Sequence, residues 1–262
     1  MVNGIEIFRA RFKAFTGDLT LIGGAACDEW FTAQGLEFRA TKDLDIVVMI
    51  EELKPAFIAA MRAFVAEAQY ETNERSPGIP ILYRFTKPAR KEFPYKLELC
   101  SRNQKDFELA EGQLAIPISA ELGKHSLSAL LLDDDYYHLI QTHHDVRDGL
   151  WVANATSLIP LKAHAWFDLT KAKSEGEAID AKNILKHRND VFRLAGTLPD
   201  TVGPELSPQI IDKLNRFLIT FPENSPDWQA ILNSLKNTLG GAIRPAALRS
   251  AIQTYFRLPA AA

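Results

Sequence analysis

Residues 21–48 read LIGGAACDEWFTAQGLEFRATKDLDIVV, and this stretch decides how the chain folds. An apolar segment, Leu19–Ile22, runs into Gly23-Gly24, and the spacing beyond predicts a helix to about Gln34. Residues 44–50 (LDIVVMI) then read as a second strand. Side chains in a strand alternate between faces, so Asp43 and Asp45 project together from one side while Leu44 and Ile46 point to the other. Two acids on so apolar a strand demand a neutralising cation or water. Hard carboxylate oxygens suit a divalent metal. A glycine turn opening a helix suits a polyphosphate, because bare main chain and N–H groups can approach anionic oxygens. The pattern reads as that of an enzyme.

A third carboxylate is expected on a neighbouring strand. Residues 79–86 (IPILYRFT) and 95–100 (YKLELC) read as two more strands around a basic, proline-flanked turn. On the second, Glu98 shares a face with Lys96 and Cys100, while Leu97 and Leu99 face the core. Asp106 and Glu108 lie past the apparent strand end and are weaker substitutes. Asp133, Asp134 and Asp135 precede YYHLI, where acids at a helix start oppose the backbone dipole favourably. His138, His143 and His144 are close in sequence, but adjacent residues cannot share a helix face, which argues against a histidine metal site. No G-x-x-x-x-G-K-[ST] loop exists, so the P-loop NTPases are excluded.

Outward from this centre the pattern predicts an α+β protein, with a mixed-sheet domain over 1–155 and a helical bundle over 156–262. Residues 5–16 read as a short amphipathic helix, and 51–68 as another with Leu53, Phe57, Ile58, Met61, Phe64 and Val65 at helical spacing. Ser76-Pro77-Gly78 marks a loop, further strands are expected at 113–118 and 127–131, and Asp148-Gly149 turns into LWVA. Helices are expected at 158–175, 180–195, 206–220, 226–239 and 244–256.

Hydrophobic content of 47%, charged content of 24% and a net charge of −3 are ordinary for a globular protein. No apolar run approaches ~18 residues, so no membrane span is expected. Cys27 and Cys100, the two cysteines, are too few for a thiolate metal site. With no export signal at the N-terminus they point to a reducing, cytoplasmic setting. Acids outnumber bases in residues 1–150 and the reverse holds in 151–262. That asymmetry fits an acidic metal-binding part and a mildly basic second part.

Gly-Gly, a helix, Asp-x-Asp on a strand and an acid on a later strand resemble the nucleotidyltransferase superfamily, which has the DNA polymerase beta-like fold. Residues 158–194, LIPLKAHAWFDLTKAKSEGEAIDAKNILKHRNDVFRL, are similar to the helical region of the AbiEii-type (MenT-like) nucleotidyltransferase toxins. The resemblance covers most of residues 15–195. GGAACDEW is also similar to the Gly-Gly-x-x-Arg-Asp turn of tRNA CCA-adding enzymes, but Cys27 stands in the arginine's place.

The resemblance implies transfer of a nucleoside monophosphate from an NTP to a hydroxyl, with two Mg²⁺ ions, or Mn²⁺, as cofactor. It makes Asp43, Asp45 and Glu98 the catalytic metal ligands, and Gly23 and Gly24 the phosphate turn. Lys162, on the first helix of the second domain, would reach the nucleotide phosphates. Ser157 as cap and Pro160 in the first turn would put it near that helix's N-terminus, with Trp166 on the same face. Thr41 and Asp180 join the nucleotide-binding candidates. Asp180, Lys182 and Asp190 compete for a further site position, Asn183 standing where an acid is expected, and His164 and His187 either touch the site or pack. The implied acceptor is RNA such as a tRNA 3′ end, or protein, with a small aminated sugar also open, and a cognate antitoxin is the implied partner. Two rivals stand beside this reading, a non-catalytic nucleotide- or partner-binding relative and a metal-dependent phosphodiesterase or nuclease.

Overall fold

A computed structural model describes residues 2–49, 55–76, 79–100 and 133–259. The strands expected at 113–118 and 127–131, the acids Asp106 and Glu108, the turn at 77–78 and the expected helix start at 51–54 lie outside those residues. The described chain is mixed α+β. It falls into two compact units, Met1–Glu29 with Arg39–Ala153, and Trp30–Phe38 with Asn154–Ala262. A linear boundary near 155 leaves 30–38 in the first part, whereas that segment groups with the second. Among the described residues no helix is long and apolar enough to cross a membrane.

In the first unit, helix α1 (Ile5–Phe12) precedes strand β1 (Leu19–Ile22), and helix α2 (Gly23–Thr32) follows it directly. Strand β2 (Asp43–Val48), helix α3 (Pro55–Ala68) and strands β3 (Glu71–Ser76), β4 (Ile79–Thr86) and β5 (Lys96–Cys100) come next. Helix α4 (Asp134–Thr142) and the hairpin of β6 (His144–Arg147) and β7 (Leu150–Ala153) complete the unit. The seven strands form one sheet in the order β3-β4-β5-β2-β1-β7-β6. Pairings β1/β7 and β2/β5 are parallel and the others antiparallel, so the sheet is mixed.

Strand β1 is buried along its whole length, which fits a central strand. Beside it, β2 and β5 alternate, with Leu44, Ile46, Leu97 and Leu99 buried and Asp43, Asp45, Lys96 and Glu98 only partly so. Each fully buried aliphatic side chain contributes roughly 1.5–3 kcal/mol. Those four residues fix which face the charged ones present, because a one-residue slip would put carboxylates in the core. Phe8, Phe12, Phe57, Phe64 and Phe93 pack ring against ring between α1, α3 and the segment before β5.

Three strands were not expected as such: β7, which coincides with the apolar segment LWVA, and β3 and β6. Strand β3 (ETNERS) is polar and non-alternating in sequence, so nothing in its pattern marks it; among the described strands it lies at one edge of the sheet. Strand β6 (HDVR) is the other edge among the described strands. Its hairpin closes through Asp148 (φ 45°) and Gly149 (φ 78°), consecutive left-handed residues of the kind a two-residue type I′ turn requires. Asp133 caps α4, its side chain accepting a hydrogen bond from the Asp135 amide at 2.9 Å. That satisfies a helix-end donor.

In the second unit the five expected helices are α5 (Ala155–Ser174), α6 (Ala181–Ala195), α7 (Pro208–Thr220), α8 (Trp228–Leu239) and α9 (Pro245–Tyr255). Trp166, Phe192, Phe217, Phe221 and Trp228 form its aromatic core. Segment 30–38 is tied in by Trp30 Nε1, which donates to Thr197 Oγ1 at 2.9 Å, and by the Arg193 guanidinium over the Phe38 ring. The expected start of α5 is corrected. Asn154, not Ser157, is the cap, accepting from the Thr156 amide at 3.1 Å, and Pro160 lies inside the helix. Asn is at least as good a cap as Ser, so the helix starts earlier and tolerates a proline in its second turn. Lys162 is therefore two turns in, not near the N-terminus.

Candidate functional site

The β1–α2 junction and the starts of β2 and β5 lie together. Ile22, the last residue of β1, pairs with Asp45, so Gly23 begins α2 beside that carboxylate. Gly23 has φ 69°, a left-handed conformation that glycine adopts at no steric cost. A Cβ there would run into the Asp45 carboxylate, and one on Gly24 would press on the Thr41 hydroxyl. The two glycines thus let Asp45 and Thr41 lie directly against the turn, for want of side chains of their own.

Parallel pairing of β2 with β5 sets Asp43 opposite Lys96 and Asp45 opposite Glu98. Residues opposite each other share a face, so Asp43, Asp45, Lys96 and Glu98 form a compact charged patch. The Lys96 Nζ lies 2.9 Å from Asp43 Oδ2 and 2.8 Å from Glu98 Oε2. Burial opposes the Lys96 charge, but Glu98, Asp45 and Asp43 outweigh it and hold the ammonium above the usual lysine range. Lys96 is therefore charged and bridges the acids. Sequence reasoning put it on the right face and gave it no role, although a lysine two residues before a ligand-type acid on one strand was the available signal.

Among the described residues no three His, Cys, Asp or Glu side chains are gathered as a metal-holding group. The donor type still suits a hard divalent cation, since the carboxylates of Asp43, Asp45 and Glu98 share one face of the sheet. What stands between Asp43 and Glu98 is the ammonium of Lys96.

The other sequence candidates lie in the second unit. Lys162 is 2% exposed and its Nζ is 3.4 Å from Asp190 Oδ2, Asp190 being 0% exposed. Arg193 Nη1 donates to the other Asp190 oxygen at 2.5 Å, and its Nη2 to the Ser234 carbonyl at 2.7 Å. The structure thus gives Lys162 a buried ion-pair partner 28 residues downstream. Asp180 caps α6, accepting from the Lys182 amide at 2.9 Å. Asp180, Lys182 and Asn183 are exposed.

His144 stacks on Trp151 with centroids 4.0 Å apart, and burial together with His138 and His144 pulls the His143 pKa down. His187 is buried in α6. His164 is pushed down to about 3 by burial and by Lys213. Below the ordinary value of 6.5 the unfolded chain takes up a proton that the folded chain refuses at His164. The contribution of His164 to stability is therefore fully present above about 6.5 and is lost as pH falls toward about 3. His164→Gln should remove about one proton from the uptake on unfolding. Thermal melts from pH 7 down to about 4 check this, and an unchanged pH slope in the variant would count against it.

Gly23→Ala tests the turn. Alanine in a left-handed conformation costs roughly 1–2 kcal/mol, and its methyl displaces the Asp45 carboxylate. If the turn holds nucleotide as the resemblance implies, the expected result is a folded protein, slightly less stable by thermal melt, in which Mg²⁺-dependent NTP binding is lost. Gly24→Ala meets only a threonine side chain and should do less. Full NTP binding by Gly23→Ala would show that the turn is not part of the site.

Comparison with protein-family models, with curated proteins and with solved structures finds no match to this chain.

Proposed function

We propose that the chain is a metal-dependent nucleotidyltransferase that moves a nucleoside monophosphate from an NTP to a hydroxyl on RNA or protein. One observation carries the reading: Asp43, Asp45 and Glu98 stand in register on one face, against a glycine turn that opens a helix. The mixed sheet followed by helices suits the nucleotidyltransferase resemblance of the sequence.

Asp43, Asp45 and Glu98 would hold Mg²⁺, two ions in the full reading and Mn²⁺ as a substitute. Bound there, the metal neutralises triphosphate charge and acidifies the attacking hydroxyl. Gly23 and Gly24 let the phosphates reach the main chain, and the first-turn amides of α2 offer donors to anionic oxygens. Thr41 sits at that turn and adds a hydroxyl to the donors. Glu98 would take the acceptor's proton. Positioning and charge complementarity make up most of the protein's share, as in other phosphoryl transfers. A phosphate contact from Lys162 or Asp180 rests on the resemblance alone. By geometry the first belongs to a buried ion pair and the second is a helix cap.

The assay is incubation with each labelled NTP, Mg²⁺ and total cellular RNA and protein. Label entering RNA or protein supports transfer and names the acceptor. NTP binding without pyrophosphate release makes the chain a binding module, and loss of end label from RNA makes it a nuclease. The reading extends to a toxin role with a cognate antitoxin as partner. Growth arrest on expression, absent in Asp45→Ala, is the expected sign.

A further inference from the structure

Lys96 is the residue of the charged patch that the proposed chemistry does not use. It is also the residue that touches two of the three acids. Its position is not a matter of side-chain wandering alone. The backbone register places it opposite Asp43 and one step from Glu98, and buried Leu97 holds that register from the other face. Both ammonium–carboxylate distances lie in the range of charge-assisted hydrogen bonds.

We propose that Lys96 is a resident counter-ion which a divalent cation must displace, so that metal enters this site by exchange with the ammonium. The inference rests on the nucleotidyltransferase reading of the same patch and goes beyond it. A carboxylate oxygen engaged by an ammonium is a poorer ligand for a metal, which takes six or more oxygens and needs their lone pairs. Lys96 has a flexible four-carbon stem and three rotatable donors, so it can leave without moving the backbone. In its place three carboxylates would otherwise repel one another. The lysine therefore stabilises the metal-free chain and weakens metal binding, two consequences of one contact.

The test is titration of the nucleotide-free full chain with Mn²⁺, bound and unbound ion being separated by electron paramagnetic resonance. Lys96→Met should bind Mn²⁺ at least about ten-fold more tightly than the unaltered chain, the equivalent of about one pKa unit of interaction. It should also melt lower in chelator and gain more from added Mn²⁺. Lys96→Arg keeps the charge and should stay weak. Equal affinity in Lys96→Met and the unaltered chain overturns the exchange and leaves the carboxylate site standing. No Mn²⁺ binding by either, or binding undiminished by Asp45→Asn, overturns the site itself. Should Lys96→Met not fold, the unaltered chain gives the answer. Saturating Mn²⁺ must speed acylation of Lys96, read by peptide mass spectrometry, and unchanged labelling with Mn²⁺ bound overturns the proposal.

Discussion

Asp190→Ala is expected to destabilise the second unit by about 3–5 kcal/mol, the range for a buried charge stripped of its partner. Asp190 is fully buried between α5 and α6, with Lys162 on one carboxylate oxygen and Arg193 on the other. Its removal leaves two cations facing each other in a region closed to water. Arg193 keeps the Ser234 carbonyl and the Phe38 ring, whereas Lys162 loses its ion-pair contact with Asp190 outright. Folded domains hold only about 5–15 kcal/mol in total, so the loss is a large share. Urea unfolding followed by circular dichroism measures it. A change under about 1 kcal/mol, the range of an exposed pair, would mean that water reaches the site.

Lys162→Met separates two roles for that lysine. As part of a buried pair, its loss lowers stability and leaves any nucleotide affinity alone while the chain stays folded. As a phosphate contact, it raises KM for the NTP and hardly moves the unfolding curve. The 3.4 Å contact and near-zero exposure favour the first. Because Arg193 still holds Asp190 in this variant, the destabilisation should be smaller than in Asp190→Ala.

The alternating strands of the first unit were readable because each has one face in the core. Leu44 and Ile46, then Leu97 and Leu99, mark period two without help, and the acids between them follow by geometry. Strand β3 was not readable, since ETNERS carries no apolar face and owes its conformation to pairing with β4. The α5 start differs from the expectation because Ser157 and Pro160 imitate a helix beginning, while the cap in use, Asn154, lies three residues earlier. Pairings between elements were the least visible. Lys162 and Asp190 sit on different helices, and no spacing rule joins residues 28 apart. The grip of Lys96 on Asp43 needs the β2/β5 register, a long-range fact that local periodicity does not contain. The face was legible; the ion pair closing it was not.

On the nucleotidyltransferase reading proposed above, Asp45→Ala is expected to lower transfer by on the order of a thousand-fold, the upper range for loss of one preorganised charge-stabilising group, while the protein stays folded. Two features make Asp45 the most exacting of the three acids. It pairs in register with both Ile22 and Glu98, so it stands between the glycine turn and the third carboxylate. Its oxygen also fills the space left by the missing Gly23 side chain. Stability should change by less than about 1 kcal/mol, because Lys96 keeps Asp43 and Glu98 after the substitution and one source of carboxylate repulsion is gone. The measurement is label transfer from the NTP identified by the assay, alongside a thermal melt of the same preparation. Lost transfer with an unchanged melt assigns the defect to chemistry. Transfer within about ten-fold of the unaltered chain, a difference of only 1.4 kcal/mol in barrier, would remove Asp45 from the reaction, and with it the in-register patch on which the assignment stands.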